Sequence, residues 1–299
     1  MKTKSEKYSL LFGSMLILLL ASCSESIAPV YAGTTVKIIE AKKISELEHH
    51  FTRYNYDMSR LQDGVPPLIL QAFPRELAAL NSSEKKKQVF FQSLLPMVLL
   101  ANDEIRRERL LLLELDKLAR AEGSTLSKLD YRLLQTLATR YGVELVPDNP
   151  RATLDKLLLR IDTIPTDLAL AQAANESAYG TSRFSLLANN LFGEWTFTPG
   201  TGIVPEGRPE GELYEVRRFN SLLDSIRSYQ KNLNTHSAYR SFRQLRATAR
   251  SREQEPSGAE LANGLLHYST RREAYIRDLQ ALIKQNRLDR YASAALRKS

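Results

Sequence analysis

The sequence predicts a mainly α protein with one small β insertion, and three observations carry that prediction. Apolar residues recur at helical spacing from residue 84 onward. Serines and glycines stand where those periodic stretches begin and end. Only one segment, residues 194–219, combines glycine, proline and β-prone runs. The chain has 299 residues, enough for one substantial domain with an accessory region. At 43% hydrophobic and 25% charged, it is neither a disordered nor a collagen-like chain.

Taken in order, residues 24 to about 50 show no sustained apolar period and read as a tether, with Val36–Ile39 at most a short strand. Pro66, Pro67 and Pro74 argue against long helices in the next stretch. Ser82 and Ser83 can cap a helix. The segment 84–122 then carries Phe90, Leu94, Val98, Ile105, Leu112, Leu115 and Leu118, with Pro96 expected to kink or split it and Gly123 to end it. Two further amphipathic helices are expected at 127–141 and 151–162. A short alanine-rich helix, 168–177, follows a cap at Thr166 or Asp167 and closes at Gly180. Residues 181–190 read as helix or turn and 194–219 as a hairpin or long structured loop. Helices resume at 221–233, 239–250 and 259–285.

The first residues carry an address. Lys2, Lys4 and Lys7 form a basic start, followed by an apolar run from Tyr8 to Leu20 that is shorter than the roughly 20 residues a permanent membrane span needs. The run ends in Leu20-Ala21-Ser22-Cys23, which resembles a bacterial lipobox, so residues 1–22 read as a lipoprotein signal peptide and Cys23 as the lipidation site. Cys23 is the only cysteine, so no disulfide can form within the chain. Ser24, where an aspartate would signal retention, resembles the signal for delivery to an outer membrane. The expected place is therefore the cell envelope, facing the periplasm. The net charge of +8 raises nucleic acid as a partner, but an exported protein seldom meets it. Lipid head groups and wall carboxylates are the anions available there.

The most specific signal is Ala171-Gln172-Ala173-Ala174-Asn175-Glu176-Ser177-Ala178-Tyr179-Gly180-Thr181-Ser182, followed by Asn189-Asn190-Leu191-Phe192-Gly193 and Asn232-Leu233-Asn234-Thr235-His236-Ser237-Ala238-Tyr239. These three motifs resemble the Bax-type β-N-acetylglucosaminidases of glycoside hydrolase family 73, with Ser237 where that subgroup has proline. The resemblance covers roughly residues 80–290. It implies a lysozyme-like catalytic domain at 161–290, preceded by a helical leader at 81–160 and an irregular, tethering segment at 23–80. The implied substrate is peptidoglycan, cut beside N-acetylglucosamine, with no cofactor and no metal.

The chemistry needs a carboxylic acid that is still protonated near neutral pH and can donate to the leaving oxygen. Glu176 is the candidate. The end of a helix places partial negative charge beside it, and a partly apolar cleft disfavours the carboxylate. The second carboxylate is open between Glu206, beside the turn Gly207-Arg208-Pro209, and Glu215, on the second arm of the insertion. If neither serves, the substrate's acetamido group can assist. Tyr239 matches the family tyrosine near the reacting sugar. Trp195 can stack on a sugar ring or pack in the core. Asn190 and Phe192, in the second motif, are candidate substrate-binding residues, with Asn190 also suited to shaping its turn. Arg240, Arg243, Arg246 and Arg250 share one helix, as a solvated face or as an attraction for the anionic wall. The four histidines form no HExxH pattern, and no P-loop, GxGxxG or nucleophile elbow is present. The remaining alternatives are a lytic transglycosylase, whose motif usually continues with Gly-Leu-Met-Gln where Asn-Leu-Phe-Gly stands here, and a non-catalytic wall-binding lipoprotein.

Overall fold

Two short parallel strands, β1 (Lys37–Ile39) and β2 (Leu68–Leu70), come first and frame helix α1 (Ile44–Arg53). The computed structural model describes residues 35–122 and 125–297, so the signal peptide, Cys23 and Gly123 lie outside the described residues. After α2 (Glu76–Ala79) come α3 (Ser83–Arg120), α4 (Lys128–Arg140), α5 (Pro150–Arg160), α6 (Thr166–Ser177) and α7 (Arg183–Ala188). Strands β3 (Trp195–Thr196), β4 (Gly202–Ile203) and β5 (Glu215–Arg217) follow. The chain closes with α8 (Leu222–Thr235), α9 (Arg240–Ser251), α10 (Gly258–Leu261) and α11 (Glu273–Gln285). The fold is mainly α, as the periodicity predicts. Among the described residues no helix is long and apolar enough to cross a membrane.

Three expectations are corrected. Residues 35–80 are not a tether. Ile44, Leu47 and Phe51 turn one face of α1 into the main core together with Leu68, Leu70 and Leu77. Arg297 pins this segment to the other end of the chain by donating to the carbonyls of Tyr54, Asn55 and Gly64. Pro96 does not split α3, which continues through it for 38 residues in all. Proline in a helix interior costs about 3 kcal/mol, but every residue from Val89 to Asn102 is buried here. That apolar area outweighs one lost hydrogen bond. Finally, residues 259–285 do not form one helix: α10 passes into a 3₁₀ turn, Ala262–Leu265, and the chain restarts at α11. Gly264 lies so close to Phe242 that a Cβ would stand 2.3 Å from its Cα. The break lets Tyr268 stack back on Tyr275, with ring centroids 5.4 Å apart.

The core has two parts. The main one packs the first half of α3 and α6, α8 and α11 together. A smaller one, built from Leu112, Leu134, Leu154, Leu157 and their neighbours, joins the second half of α3 to α4 and α5. The arginines of α9 lock the two together. Arg246 is 1% exposed and donates to the carbonyls of Leu159, Arg160, Asp162 and Thr163, the groups that the end of α5 leaves without partners. Arg243 does the same for Leu233 and His236 at the end of α8. Arg250 reaches the Asp162 carboxylate at 3.2 Å. The two central members of this arginine cluster, Arg243 and Arg246, are therefore buried helix caps rather than part of a solvated face, while Arg240 stays exposed and Arg250 half-buried.

Candidate active site

Helix α6 is buried on all sides from Thr166 to Ala174. Its alanines let neighbouring helices approach closely, so the position of its last turn is fixed by packing. Glu176 stands in that turn, half-buried, with the Asn175 side-chain amide donating to its Oε1 at 3.1 Å. Ser177 then ends the helix: its hydroxyl donates to the Ala173 carbonyl at 2.6 Å and accepts the Gly180 N–H at 2.8 Å. Ala178, Tyr179 and Gly180 all take positive φ, at 49°, 56° and 77°. A left-handed residue costs an L side chain roughly 1–2 kcal/mol, so this tight turn stores strain directly after the acid. Ser182 starts α7 by accepting the Ser185 N–H. The Glu-Ser-x-x-Gly-Thr-Ser run is thus a complete helix-turn-helix device that presents one carboxyl.

Four tyrosines surround that carboxyl. Tyr275 accepts from Gln172 at 2.9 Å; burial first, and then the Glu176 charge, hold its phenol far above its ordinary value. Burial likewise raises Tyr239, with a smaller push from Glu176, while a hydrogen bond to Asn232 opposes the shift. Tyr229 and Tyr268 also feel the Glu176 charge and are held well above the ordinary tyrosine value, again chiefly by burial. All four therefore remain neutral hydroxyls at any working pH. Tyr239, in the third motif, lies close enough to Glu176 to feel its charge. Tyr229, Tyr268 and Tyr275 went unremarked in the sequence. The available signal was on α6, where Gln172 precedes Glu176 by four residues and so shares its face.

The second motif is a brace. Asn190 is 2% exposed, and its amide bonds the Glu194 carbonyl, the Arg217 carbonyl and the Glu194 N–H. It staples the β insertion to α7 and offers nothing to a substrate. Phe192 is buried and stacks on Tyr229 at 3.9 Å, with the rings 5° from parallel, so it is a packing residue rather than a sugar contact. Both corrections have one cause: the turn after α7 runs into the core, not over it.

The insertion is a three-stranded antiparallel sheet with β5 in the middle, order β3-β5-β4, rather than a single hairpin. Trp195 is 56% exposed and stacks on Tyr214 at 4.5 Å. Phe197 is also exposed. Trp195 is therefore not a core residue. Glu206 lies open near the tip, 3.6 Å from Arg183. Glu215 is buried, and its two oxygens accept the N–H groups of Gly200 at 2.9 Å and Gly202 at 2.8 Å. Those bonds hold its carboxyl below the usual glutamate value, and they commit it to bracing the loop between β3 and β4. Among the described residues no group of three or more His, Cys, Asp or Glu side chains could hold a metal ion.

A carboxyl delivered by a buried helix into a ring of neutral phenols, beside a sheet with open aromatic faces, is an arrangement suited to glycans. The sequence profile of the glucosaminidase family, described as mannosyl-glycoprotein endo-beta-N-acetylglucosaminidase, matches residues 153–288. This module is a glycoside-hydrolase domain with a glycan substrate. Protein bax of Escherichia coli (strain K12) is 30% identical over 211 residues, which cover 71% of this chain and 73% of that protein. The chain belongs to the Bax-like glucosaminidase family. No solved structure gives a significant match.

Proposed function

We propose that the protein is a peptidoglycan hydrolase that cleaves the glycosidic bond of N-acetylglucosamine, with Glu176 as its general acid and base. The observation that carries this reading is the half-buried Glu176 carboxyl, set at the end of a buried helix by the left-handed turn Ala178-Tyr179-Gly180, near the ring series Tyr239, Tyr268 and Tyr275, whose phenols its charge helps to raise. In the reaction Glu176 gives its proton to the bridging oxygen as the C1–O bond breaks. It then takes a proton from the water that completes the sugar, and its acid form is restored. In this reading the Tyr239 hydroxyl holds the acetamide, and Trp195 offers a flat apolar face to a sugar ring.

Glu215 is held by two backbone N–H groups and Glu206 lies open to solvent. We therefore assign the role of the second carboxylate to the substrate's own acetamido group. Under this assignment, Glu206→Gln and Glu215→Gln each retain activity to within about tenfold, because neither carboxylate takes part in bond cleavage. The basic start, apolar run and Cys23 further support export as a lipoprotein anchored at the outer membrane. Incorporation of a labelled fatty acid, lost in Cys23→Ser, tests that part.

The reaction is tested by digesting purified peptidoglycan and analysing the new chain ends. Reducing N-acetylglucosamine ends support the hydrolase. Anhydro-muramic ends would identify a lytic transglycosylase instead, and binding without digestion a wall-binding scaffold.

A further inference from the structure

The turn that presents Glu176 has a second side. Tyr179, three residues beyond the acid, packs its ring edge-on against Phe91, with centroids 5.9 Å apart. Lys87 Nζ stands 5.9 Å from the centroid of the same ring, and the Asn286 amide donates to the Tyr179 hydroxyl at 3.5 Å. Phe91, Lys87 and Asn286 also line a cavity of about 490 Å³ between the start of α3 and the end of α11, so Tyr179 joins this cavity to the catalytic turn. The cavity is basic. Lys85, Lys87, Arg287 and Arg290 line it against a single carboxylate, Glu84. Lys85 is paired with Glu48, and Lys87 has Glu84 at 3.9 Å. The two arginines are left over: both are exposed, and among the described residues neither forms an ion pair. Arg290 rests its guanidinium 4.7 Å from the Tyr291 ring centroid and donates to that hydroxyl at 2.5 Å. Arg287 has φ 51°, a left-handed conformation that glycine adopts freely and arginine does not. The buried Leu288 and Tyr291 that follow anchor this bend, so a strained backbone keeps the arginine at the cavity.

Resting on the hydrolase reading above, we propose that this cavity binds the acidic peptide of a peptide-bearing glycan strand, with Arg287 and Arg290 holding its carboxylates while the sugar chain lies at Glu176. Guanidinium groups suit that task, because each presents a planar fork of donors matched to a carboxylate and is more weakly hydrated than a lysine ammonium. The buried rings of Phe91 and Tyr291 supply an apolar part of the lining, as a ligand of mixed character requires. An anionic lipid offers the same charge. Binding it here would turn the catalytic turn toward a membrane and away from the wall, whereas a peptide hanging from the strand being cut is already beside Tyr179.

The test compares the double variant Arg287→Gln, Arg290→Gln with the parent on two soluble substrates: glycan strands that carry their peptides, and the same strands stripped of peptides by an amidase. The double variant Lys128→Gln, Arg132→Gln on α4, where both side chains are exposed, controls for the loss of charge alone. On peptide-bearing strands the arginine pair should raise KM roughly twofold to thirtyfold, the factor that two exposed ion pairs correspond to. Its kcat stays unchanged, since only ground-state binding is lost. On stripped strands, and for the control on either substrate, KM stays at the parent's value. Affinities for labelled strands, read by fluorescence anisotropy in a Glu176→Gln background that leaves the strands uncut, should show the same difference. Tm is measured beside them, and if the pair fails to fold, Arg287→Gln alone shows a smaller rise of the same kind. Parent-like KM for the pair on peptide-bearing strands would overturn the proposal, as would an equal rise on both substrates or in the control. Capture of the parent by phosphatidylglycerol vesicles, lost in the pair while KM holds, would assign the cavity to lipid instead. A parent that binds strands without digesting them would sink the hydrolase reading alone, and the affinities would still decide the cavity.

Discussion

Replacing Gly180 with alanine probes the turn that presents the acid, and the structure fixes what it should cost. Gly180 has φ +77°, and a Cβ built there would stand 2.7 Å from Phe73 Cε2 and 3.1 Å from Leu77 Cδ2. The left-handed backbone alone costs an alanine about 1–2 kcal/mol. The overlap with Phe73, whose ring is itself stacked on Phe90 at 5.7 Å, adds roughly 1–3 kcal/mol of overpacking. Gly193 supplies the control: its φ is +70°, with nothing within 4 Å of the added methyl. Gly193→Ala should therefore lose only the backbone part, and Gly180→Ala should be the less stable of the two by about 1–3 kcal/mol. In a chain of this size that difference is several degrees in Tm, at about 2–4 °C per kcal/mol. Urea unfolding of the two variants beside the parent reads it directly. Since the turn also sets the end of α6, Gly180→Ala should lose activity as well. Equal stability of the two variants would refute the close packing of this turn against Phe73.

Further outcomes follow from the same geometry. Arg246→Met removes four hydrogen bonds to the end of α5 and should destabilise the protein by about 3 kcal/mol or more, measured by denaturant unfolding. Burial raises the Asp162 carboxyl, but Arg246, Arg109 and Arg250 outweigh it and leave the group below its ordinary value. Its stabilising effect is thus present above the unfolded-state value of about 4 and is lost as pH falls through the lower, folded one. Asp167 has the opposite sign. Burial, opposed by the N–H groups of Leu168 and Gly258, holds it above its ordinary value, so its contribution is full below about pH 4 and is lost as pH rises through the folded value. Tm measured from pH 3 to 8 should show the acid-side loss weakened in Asp162→Asn and the rise-side loss weakened in Asp167→Asn. Trp195→Ala, at an exposed site, should change stability by no more than about 0.5 kcal/mol and weaken binding to insoluble peptidoglycan in a sedimentation assay. Unchanged binding would remove Trp195 from the site.

What could be read without coordinates was local. The cap at Ser82, the alanine-rich helix with its glutamate and the β insertion all depend on residues close in sequence, and each lies where the sequence places it. The failures share a physical cause: each depended on a partner far along the chain. The helix that carries Ile44, Leu47 and Phe51 is only ten residues long, and its buried face gains meaning only when β1 pairs with β2, about thirty positions away. Arg243 and Arg246 read as solvated because charge is usually exposed; only the folded chain brings the open ends of α5 and α8 beneath them. Asn190 and Phe192 lie in a motif that suggested substrate contact, yet the motif's work is to fasten the insertion and clamp Tyr229. The site itself was half legible. Glu176 and Tyr239 stand in recognisable runs, whereas Tyr275 is 103 residues from Gln172 in a stretch with no motif around it.

The most direct measurement is the rate at which Glu176→Gln, shown to fold by its circular dichroism and Tm, solubilises purified peptidoglycan beside the unaltered protein. The glutamine is nearly isosteric and can still accept from the Asn175 amide, but it has no acidic proton to give. A loss of at least about a hundredfold is expected, within the range that general acid catalysis contributes. Digestion by the variant at the parent's rate would contradict the assignment of the acid and, with it, the account of the site.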